Sequence, residues 1–314
     1  MSLLGAASQL LEIVVALALA PLLLGWVNQW RAWLQNKSAP GLLPYRVLHK
    51  LFHKDSVIAE RASPLFRAAP YIVLGCMTLA CGIIPMLAID LPLATAADAI
   101  ALVGLFALAR VFISLAAMDV GTAFGTLGAR REMLIGFLAE PALLMVLFTA
   151  ALISQSTSLT TIVDTIAHRD LAIYPSLAFA GVAFVMVSLA ENARVPVDNP
   201  ATHLELTMVH EALILEYSGR HLALMEWAAS LKLFAYSCIG LALFFPWGVA
   251  EAQVPSALLL ALPILMVKLA IGGVLLAFLE TVSAKMRIFR VPEFLGTAFM
   301  LAVIGMLIHL LLET

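Results

Sequence analysis

The sequence carries little charge: only 12% of its 314 residues are Asp, Glu, Lys or Arg, while 63% are hydrophobic. A soluble globular domain holds about 25% charged and roughly 45–50% apolar residues. The few polar residues gather in short stretches between long apolar runs. The composition therefore excludes an ordinary soluble domain and predicts an integral membrane protein in contact with the lipid bilayer.

Cysteine is also scarce, and its pattern excludes several kinds of site. The three cysteines are Cys76, Cys81 and Cys238, and all lie in or beside apolar segments. Their spacing matches no zinc, iron–sulfur or disulfide motif. The pattern favours buried packing residues.

The sequence lacks strong net charge, a basic start and low-complexity segments. A formal net charge of −2 provides no basic field for nucleic acid. Residues 1–8 contain no Lys or Arg, whereas a signal peptide begins with positive charge, so we expect a retained first helix. No repeat or Ser/Gly-rich linker divides the chain. We therefore expect one integral membrane domain over residues 1–314 and no nucleic-acid partner.

Long apolar runs dominate what is present. A helix needs about 20 mostly apolar residues to cross the hydrocarbon core. Such runs lie near residues 8–27, 69–89, 98–118, 133–153, 172–190, 233–250, 256–279 and 293–311. The sequence therefore predicts an all-α polytopic membrane protein with about eight transmembrane helices.

The basic residues lie on one side of this arrangement. The first, third, fifth and seventh loops each contain Lys or Arg, whereas the even loops contain only Arg169. The positive-inside rule makes the odd loops cytoplasmic, which places both termini on the outer side. The long loops 28–68 and 191–232 are expected to dock a partner on the cytoplasmic face.

Several ionisable residues fall inside the predicted helices. Arg110 and Lys268 lie in the middle of the third and seventh helices, and Glu140 lies about two turns into the fourth. Charged residues at this depth usually face the bundle interior and have partners. One interpretation is a structural ion pair, for instance between Arg110 and Glu140, and the other is a proton or ion relay. Glu132 lies about 12 Å from Glu140 along one helix, which suits two stations of a relay, and Glu280 ends the seventh helix near the same face.

Residues 189–232 contain the densest group of polar side chains. Asp198-Asn199-Pro200 is typical of a helix start with Asn199 as N-cap, and Gly219 is typical of a left-handed stop after about Ser218. An additional amphipathic helix on the cytoplasmic side is therefore predicted. Its ionisable residues are His203, Glu205, His210, Glu211 and Glu216.

Two interpretations of this amphipathic helix remain open. Carboxylates crowded against apolar surface have raised and coupled proton affinities, and would take up or move protons beside redox chemistry. Alternatively, the helix lies at the membrane surface with its charges in water. Metal binding by His203 and His210 is disfavoured, because seven residues separate the two ligands.

The motifs around this segment resemble the complex I membrane subunit beside the quinone cavity, which has eight helices with this topology. The resemblance rests on Glu191-x-x-Arg194-x-Pro196-x-Asp198, Glu205-Leu206 and Glu216-Tyr217-Ser218-Gly219. It extends to Pro40-Gly41, Lys50-Leu51-Phe52-His53-Lys54 and Phe66-Arg67-x-x-Pro70. Gly128-Ala129-Arg130-Arg131-Glu132 and Glu140-Pro141 are similar to the hydrogenase branch of this family. The resemblance covers nearly the whole chain.

Departures from the respiratory pattern point to the same branch. Complex I shows three acidic residues after its Pro-x-Asp, whereas two of these positions are Ala201 and His203 here, leaving Glu205. The segment before Glu216 is about three residues longer. Both features resemble membrane subunits of energy-converting nickel–iron hydrogenases and formate hydrogenlyase.

The resemblance implies a non-catalytic subunit of an oxidoreductase complex in the prokaryotic cytoplasmic (inner) membrane. Such a chain carries no cofactor and anchors a hydrogenase-like large subunit and iron–sulfur subunits, which hold the nickel–iron centre and the clusters. It couples their electron transfer to proton or sodium movement through antiporter-like membrane subunits. The implied coupling residues are Glu191, Arg194, Asp198, Glu205, Glu211 and Glu216, with Arg194 holding the carboxylates in place. Glu132 and Glu140, with Arg110 and Lys268, would connect this cluster to the membrane interior.

Three alternatives stay open on the sequence. The chain belongs to a quinone-reducing, complex I-like oxidoreductase, or is an inert anchor whose buried charges only hold helices together. A secondary transporter, the third alternative, would show inverted repeats, and the sequence contains no evident repeat.

Overall fold

The computed structural model describes residues 3–59, 62–89, 92–168, 175–198, 208–250 and 255–312. Within these ranges the helices are α1 (Leu3–Leu34), α2 (Leu43–Phe52), α3 (Pro64–Ile83), α4 (Ala99–Asp119), α5 (Ala123–Ser154), α6 (Leu159–His168), α7 (Pro175–Glu191), α8 (His210–Ile214), α9 (Gly219–Phe244), α10 (Pro255–Val282) and α11 (Val291–Leu312). Short 3₁₀ turns occur at Pro92–Ala96 and Ile288–Arg290. The predicted all-α fold is confirmed.

Seven of the described helices are long and apolar enough to cross a membrane. They are α1, α3, α4, α5, α9, α10 and α11. The remaining apolar helix, α7, has 17 residues, which rise about 25 Å and lie at the short end of the spanning range. The seven long helices together with α7 correspond to the eight spans predicted from the sequence.

Short polar residues begin three of the spanning helices by capping their first turns. The Ser63 hydroxyl accepts from Leu65 N at 3.1 Å, and the Asp98 carboxylate accepts from Ile100 N at 2.7 Å. Thr122 begins α5 in the same way. Such caps satisfy backbone N–H groups that lack a partner within the helix, so these apolar runs begin at defined residues.

Small residues let the spanning helices approach closely. The main partners are α11 with α5 and α7, α3 with α4 and α9, α5 with α4 and α7, and α1 with α9 and α10. A Cβ on Gly305 of α11 would lie 2.8 Å from the Ser176 carbonyl oxygen of α7. Close backbone packing of this kind stabilises helix pairs in lipid, where the hydrophobic effect does not drive association.

The predicted amphipathic helix over 199–218 is wrong in its described part. Only His210–Ile214 is helical there, as α8, and residues 199–207 lie outside the described residues. Gly219 has the predicted left-handed conformation, with φ of +51°, but it begins α9 rather than ending a helix. The chain reverses before α9, so the apolar residues of α8 pack inward as a short turn.

The predicted span boundaries are too narrow where polar side chains face the interior. α9 begins at Gly219, whereas the apolar run begins at 233, because Glu226 and Lys232 interrupt the hydropathy without interrupting the helix. α1 and α5 likewise extend beyond their apolar runs. We refer to residues 35–59, 192–198, 208–218 and 283–290 as the charged end of the bundle, and to residues 84–89, 155–158 and 245–250 as the opposite end.

Candidate functional site

The side chain of Arg110 on α4 contacts three carboxylates. Its Nε lies 3.3 Å from Glu132 Oε1, its Nη1 contacts Glu140, and its Nη2 contacts Glu191. Glu132 and Glu140 lie about two turns apart on α5, and Glu191 ends α7. One guanidinium thus joins three helices, and the predicted pairing of Arg110 with Glu140 is present.

Lys232 on α9 supplies a second cation to this group. Its Nζ lies 2.8 Å from Glu191 Oε2, the oxygen that Arg110 also contacts. The side chains of Arg110 and Glu191 are only 5% and 1% exposed. Burying charge is costly unless the charges are paired, and here two cations face three carboxylates. We call Arg110, Glu132, Glu140, Glu191 and Lys232 the central cluster.

A second buried network surrounds Glu280 near the end of α10. Its Oε2 lies 3.3 Å from Arg31 Nη1 on α1, and its Oε1 lies 3.1 Å from Arg194 Nη1. The side chain of Glu280 is 1% exposed. Glu280 therefore joins α1, α10 and the segment after α7.

Arg194 makes no ion pair with Glu191 among the described residues, and its role in holding the coupling carboxylates in place stays a prediction. α7 ends at Glu191, and Ala193 turns the chain with φ of +50°. Arg194 therefore leaves the helical face and pairs with Glu280. Burial lowers the pKa of the Arg194 guanidinium, and the Glu280 carboxylate opposes that shift.

Asp198 joins three segments of the charged end. Its Oδ2 accepts from the backbone N–H groups of Val209 and His210 at 3.2 and 3.3 Å, which caps the start of α8. Its Oδ1 lies 3.4 Å from Lys285 Nζ. Because both contacts cross between segments, Asp198 positions α8 against the loop between α10 and α11.

Two of the ionisable residues predicted for the cytoplasmic-side helix, His203 and Glu205, lie outside the described residues. Their roles therefore stay predictions. Among the residues that the structure describes, no group of three or more His, Cys, Asp or Glu side chains could hold a metal ion.

A cavity of about 300 Å³ lies beside the central cluster. Its ionisable lining includes Arg31, Arg110, Glu132, Glu191, Arg194, His210, Glu211, Glu226 and Lys232. Part of its wall is apolar, with Leu24, Val73, Met77 and Phe106. The cavity thus brings predicted residues of both groups, the intramembrane carboxylates and the α8 residues, to one space.

The sequence analysis missed three charged residues of this site: Arg31, Glu226 and Lys232. Glu226, Ala229 and Lys232 are three residues apart in turn and all line the cavity. This spacing is typical of one helical face. The same spacing in the sequence indicates that α9 is already helical before residue 233, where its apolar run begins.

Lys268 and Glu216 do not join the site. Lys268 Nζ donates to the Phe245 carbonyl oxygen at 2.6 Å and to that of Trp247, at the opposite end. Among the described residues, no contact of Lys268 links it to Arg110, Glu132 or Glu140, and its part in a relay stays a prediction. Glu216 is half-buried and does not line the cavity.

Tyr217, the neighbour of Glu216, anchors the charged end instead. Its hydroxyl donates to the Phe66 carbonyl oxygen at 3.0 Å, and the two rings stack at 4.1 Å. Burial raises the pKa of Tyr217, so its hydroxyl stays a donor. The chain between α8 and α9 is thereby held against α3.

Comparison with protein families gives one match across almost the whole chain. The family model described as NADH dehydrogenase matches residues 8–311.

Two relatives from Escherichia coli (strain K12) align over nearly their full lengths. Formate hydrogenlyase subunit 4 is 35% identical over 291 residues, which cover 92% of this chain and 94% of that protein. Hydrogenase-4 component C is 31% identical over 300 residues, which cover 94% and 93%.

A solved structure shares the fold. The archaeal respiratory membrane complex described as membrane-bound sulfane sulfur reductase contains a chain that superposes with a TM-score of 0.79. The match covers 95% of this chain and 97% of that one at 21% identity.

Proposed function

Because this chain belongs to the NADH dehydrogenase family, we propose that it anchors and couples a multisubunit energy-converting nickel–iron hydrogenase complex, similar to formate hydrogenlyase. It links electron transfer in a peripheral arm to the movement of protons or sodium ions. The two relatives support this proposal, since their names describe a subunit of formate hydrogenlyase and a component of hydrogenase-4.

The central cluster is the observation that carries the coupling role. It holds one more carboxylate than cation, and its members come from four helices. A partly buried carboxylate in excess of the cations favours uptake of one proton, because neutralisation removes an uncompensated charge. Protonation at Glu140 frees Arg110 to pair more strongly with Glu191, so a charge change at one helix alters the ion pairs of the others.

The cavity provides the route between this cluster and the charged end. His210 and Glu211 of α8 and Glu226 of α9 line it together with Glu132 and Glu191. Ionisable side chains in one space exchange protons through short steps or bridging water. Rearrangement of α8 by a docked partner would therefore change the charge that the central cluster experiences.

Partners and orientation follow from the same proposal. The charged end faces the cytoplasm and both termini lie outside, since the basic loops are on this end. The long loops 28–68 and 191–232 dock a hydrogenase-like large subunit and iron–sulfur subunits, which hold the nickel–iron centre and the clusters. Antiporter-like subunits lie beside this chain in the prokaryotic cytoplasmic membrane.

The test of coupling is ion movement per electron in vesicles that contain the purified complex. Glu140→Gln and Glu191→Gln are expected to lower this ratio while electron transfer continues, because each removes a protonatable member of the cluster. Glu293→Gln is the matched control, since Glu293 is an exposed carboxylate at the start of α11 that does not line the cavity. A full ratio in both cluster variants would contradict the proposal.

Labelling of introduced cysteines tests the orientation. Lys54→Cys lies at the charged end, and Thr161→Cys lies on α6 beyond the opposite end of α5; both positions are exposed. In intact cells, a membrane-impermeant maleimide is expected to label only Thr161→Cys. Labelling of only Lys54→Cys would reverse the orientation.

The apolar wall of the cavity supports a second candidate function, membership of a quinone-reducing, complex I-like oxidoreductase. Leu24, Val73, Met77 and Phe106 provide surface that suits a hydrophobic ring or tail. Quinone reduction by the purified complex, sensitive to an inhibitor, would favour this function over the first.

A further inference from the structure

Helix α2 at the charged end is amphipathic, and its buried side packs on α9. Leu48 and Leu51 are buried against Ala223, with Leu222 and Trp227 around them. The Phe52 ring meets the Trp227 ring edge to face at 6.2 Å. α2 is therefore a fixed part of the bundle.

Contacts with α1 place α2 at the depth of the membrane boundary. The Tyr45 hydroxyl donates to the Ala18 carbonyl oxygen. A Cβ on Gly25 of α1 would lie 2.8 Å from the Gly41 carbonyl carbon, so the chain before α2 lies directly against α1. α2 therefore packs beside residues 18–25 of α1, well before its end at Leu34.

The length of α1 shows how deep in the membrane this contact lies. The spanning part of α1 has 30 residues, about 45 Å of helix, whereas the hydrocarbon core is about 30 Å thick. About the last ten residues therefore extend beyond the core, and they contain Trp26, Trp30 and Trp33. Tryptophan is enriched at this interface, so Gly25, where the chain before α2 packs on α1, lies at the hydrocarbon boundary. The Tyr45 side chain extends from α2 toward the core and reaches Ala18.

The outward face of α2 combines apolar and basic side chains. Leu43 and Val47 are 45% and 37% exposed, and Arg46 and Lys50 are exposed beside them. No carboxylate among the described residues forms an ion pair with Arg46 or Lys50. An apolar edge at the hydrocarbon boundary, next to unpaired cations, complements a phospholipid with a negative headgroup.

We propose that the corner formed by α1, α2 and the start of α9 binds an anionic phospholipid. Arg46 and Lys50 bind its phosphate, and Leu43 and Val47 contact its acyl chains. Long basic side chains reach headgroups while their stems remain on apolar surface. This inference does not rest on the proposed coupling function, since it uses neither the central cluster nor a partner subunit. It assigns the outward face of α2 to lipid and leaves the rest of the loop 28–68 to the docked subunits.

Quenching of tryptophan fluorescence by brominated lipids tests the proposal on the full chain. Trp247→Phe removes the one tryptophan at the opposite end and leaves Trp26, Trp30, Trp33 and Trp227 on α1 and α9. In vesicles, brominated phosphatidylglycerol is expected to quench more strongly than brominated phosphatidylcholine at equal mole fraction. Each basic side chain near an anionic surface contributes about fivefold in affinity, so Arg46→Gln/Lys50→Gln is expected to lower the preference at this site by roughly 25-fold.

Two further variants separate lipid binding from general charge and from misfolding. Arg287→Gln/Arg290→Gln removes two exposed cations elsewhere at the charged end and is expected to keep the preference. Arg46→Lys/Lys50→Arg retains both charges and is also expected to keep it. Equal quenching by the two lipids in the Trp247→Phe chain, or equal losses in both Gln double variants, would overturn the proposal. So would an unchanged lipid preference in Arg46→Gln/Lys50→Gln together with loss of a peripheral subunit from the purified complex, since the surface would then bind protein.

Discussion

Arg110 occupies the space that a side chain at Gly136 would need. A Cβ on Gly136 would lie 2.6 Å from Arg110 Cδ and 2.8 Å from its Cζ. Gly136 lies on α5, one turn after Glu132 and one turn before Glu140. The missing side chain therefore lets one guanidinium lie along α5 and reach the carboxylates on both sides.

Substitution of Gly136 is expected to disturb the central cluster. Gly136→Ala forces Arg110 or α5 to move, and overpacking of this kind costs about 1–3 kcal/mol. Thermal unfolding of the detergent-solubilised chain measures the loss. Gly104→Ala on α4 is the control, since nothing lies within 4 Å of its added Cβ, and it should be neutral or stabilising. Equal effects of the two substitutions would show that Arg110 does not depend on the space at Gly136.

Removal of the Arg110 charge is expected to be strongly destabilising. Arg110→Met leaves Glu140 without its cation and takes from the buried Glu191 one of its two cations. Breaking a buried ion pair costs about 3–5 kcal/mol. Adding Glu140→Gln should restore part of the unfolding free energy, because it removes the carboxylate left unpaired. A double-mutant cycle measures this coupling, and Glu293→Gln, the exposed control, should restore nothing. Additive effects of Arg110→Met and Glu140→Gln would contradict the pairing.

The network around Glu280 is expected to respond unequally to loss of its two arginines. The Arg194 side chain is 6% exposed and that of Arg31 is 20% exposed. Ion pairs weaken with exposure to solvent, so Arg194→Gln should destabilise more than Arg31→Gln. Faster hydrogen–deuterium exchange over residues 192–198 should accompany Arg194→Gln, and its absence would show that other contacts hold this segment.

Glu12, within α1, is expected to act as a structural acceptor. Its Oε1 accepts from the N–H groups of Met86 and Leu87 at 2.8 and 2.9 Å. Glu12→Gln keeps an acceptor oxygen and should preserve the melting temperature. Glu12→Leu leaves two buried donors unsatisfied, at about 1–3 kcal/mol each. Similar melting temperatures for the two variants would contradict this role.

The resemblance recognised in the loop motifs is confirmed by the family match over residues 8–311 and by the two relatives. The long apolar runs likewise predicted the helices correctly, since hydropathy is a local property. The helix expected over 199–218 failed in its described part. N-cap and C-cap signals mark positions where a helix can begin or end, but they do not show that the chain between two such positions is helical.

The site was predicted less completely than the fold. Arg110 and Glu140 were singled out because charge is unusual within apolar segments, Glu132 by its spacing from Glu140, and Glu191 by the family resemblance. Lys232 and Arg31 were not, because they lie where a span meets a basic loop and look like ordinary loop charges. The contact between Arg194 and Glu280 was not predicted, because 86 positions of sequence separate them and no local pattern links them.

The sequence by itself determined the membrane class, the approximate number of helices and the family. These properties depend on composition and on short motifs, which survive in any arrangement of the helices. Only the tertiary structure decided which charges meet: Arg110 contacts Glu191 across 81 positions of sequence, and Arg194 contacts Glu280 across 86. Contacts between residues so distant in sequence depend on the rotation and separation of packed helices. Small residues such as Gly136 help to set both, and their position in the sequence does not show which charged side chain will pack against them.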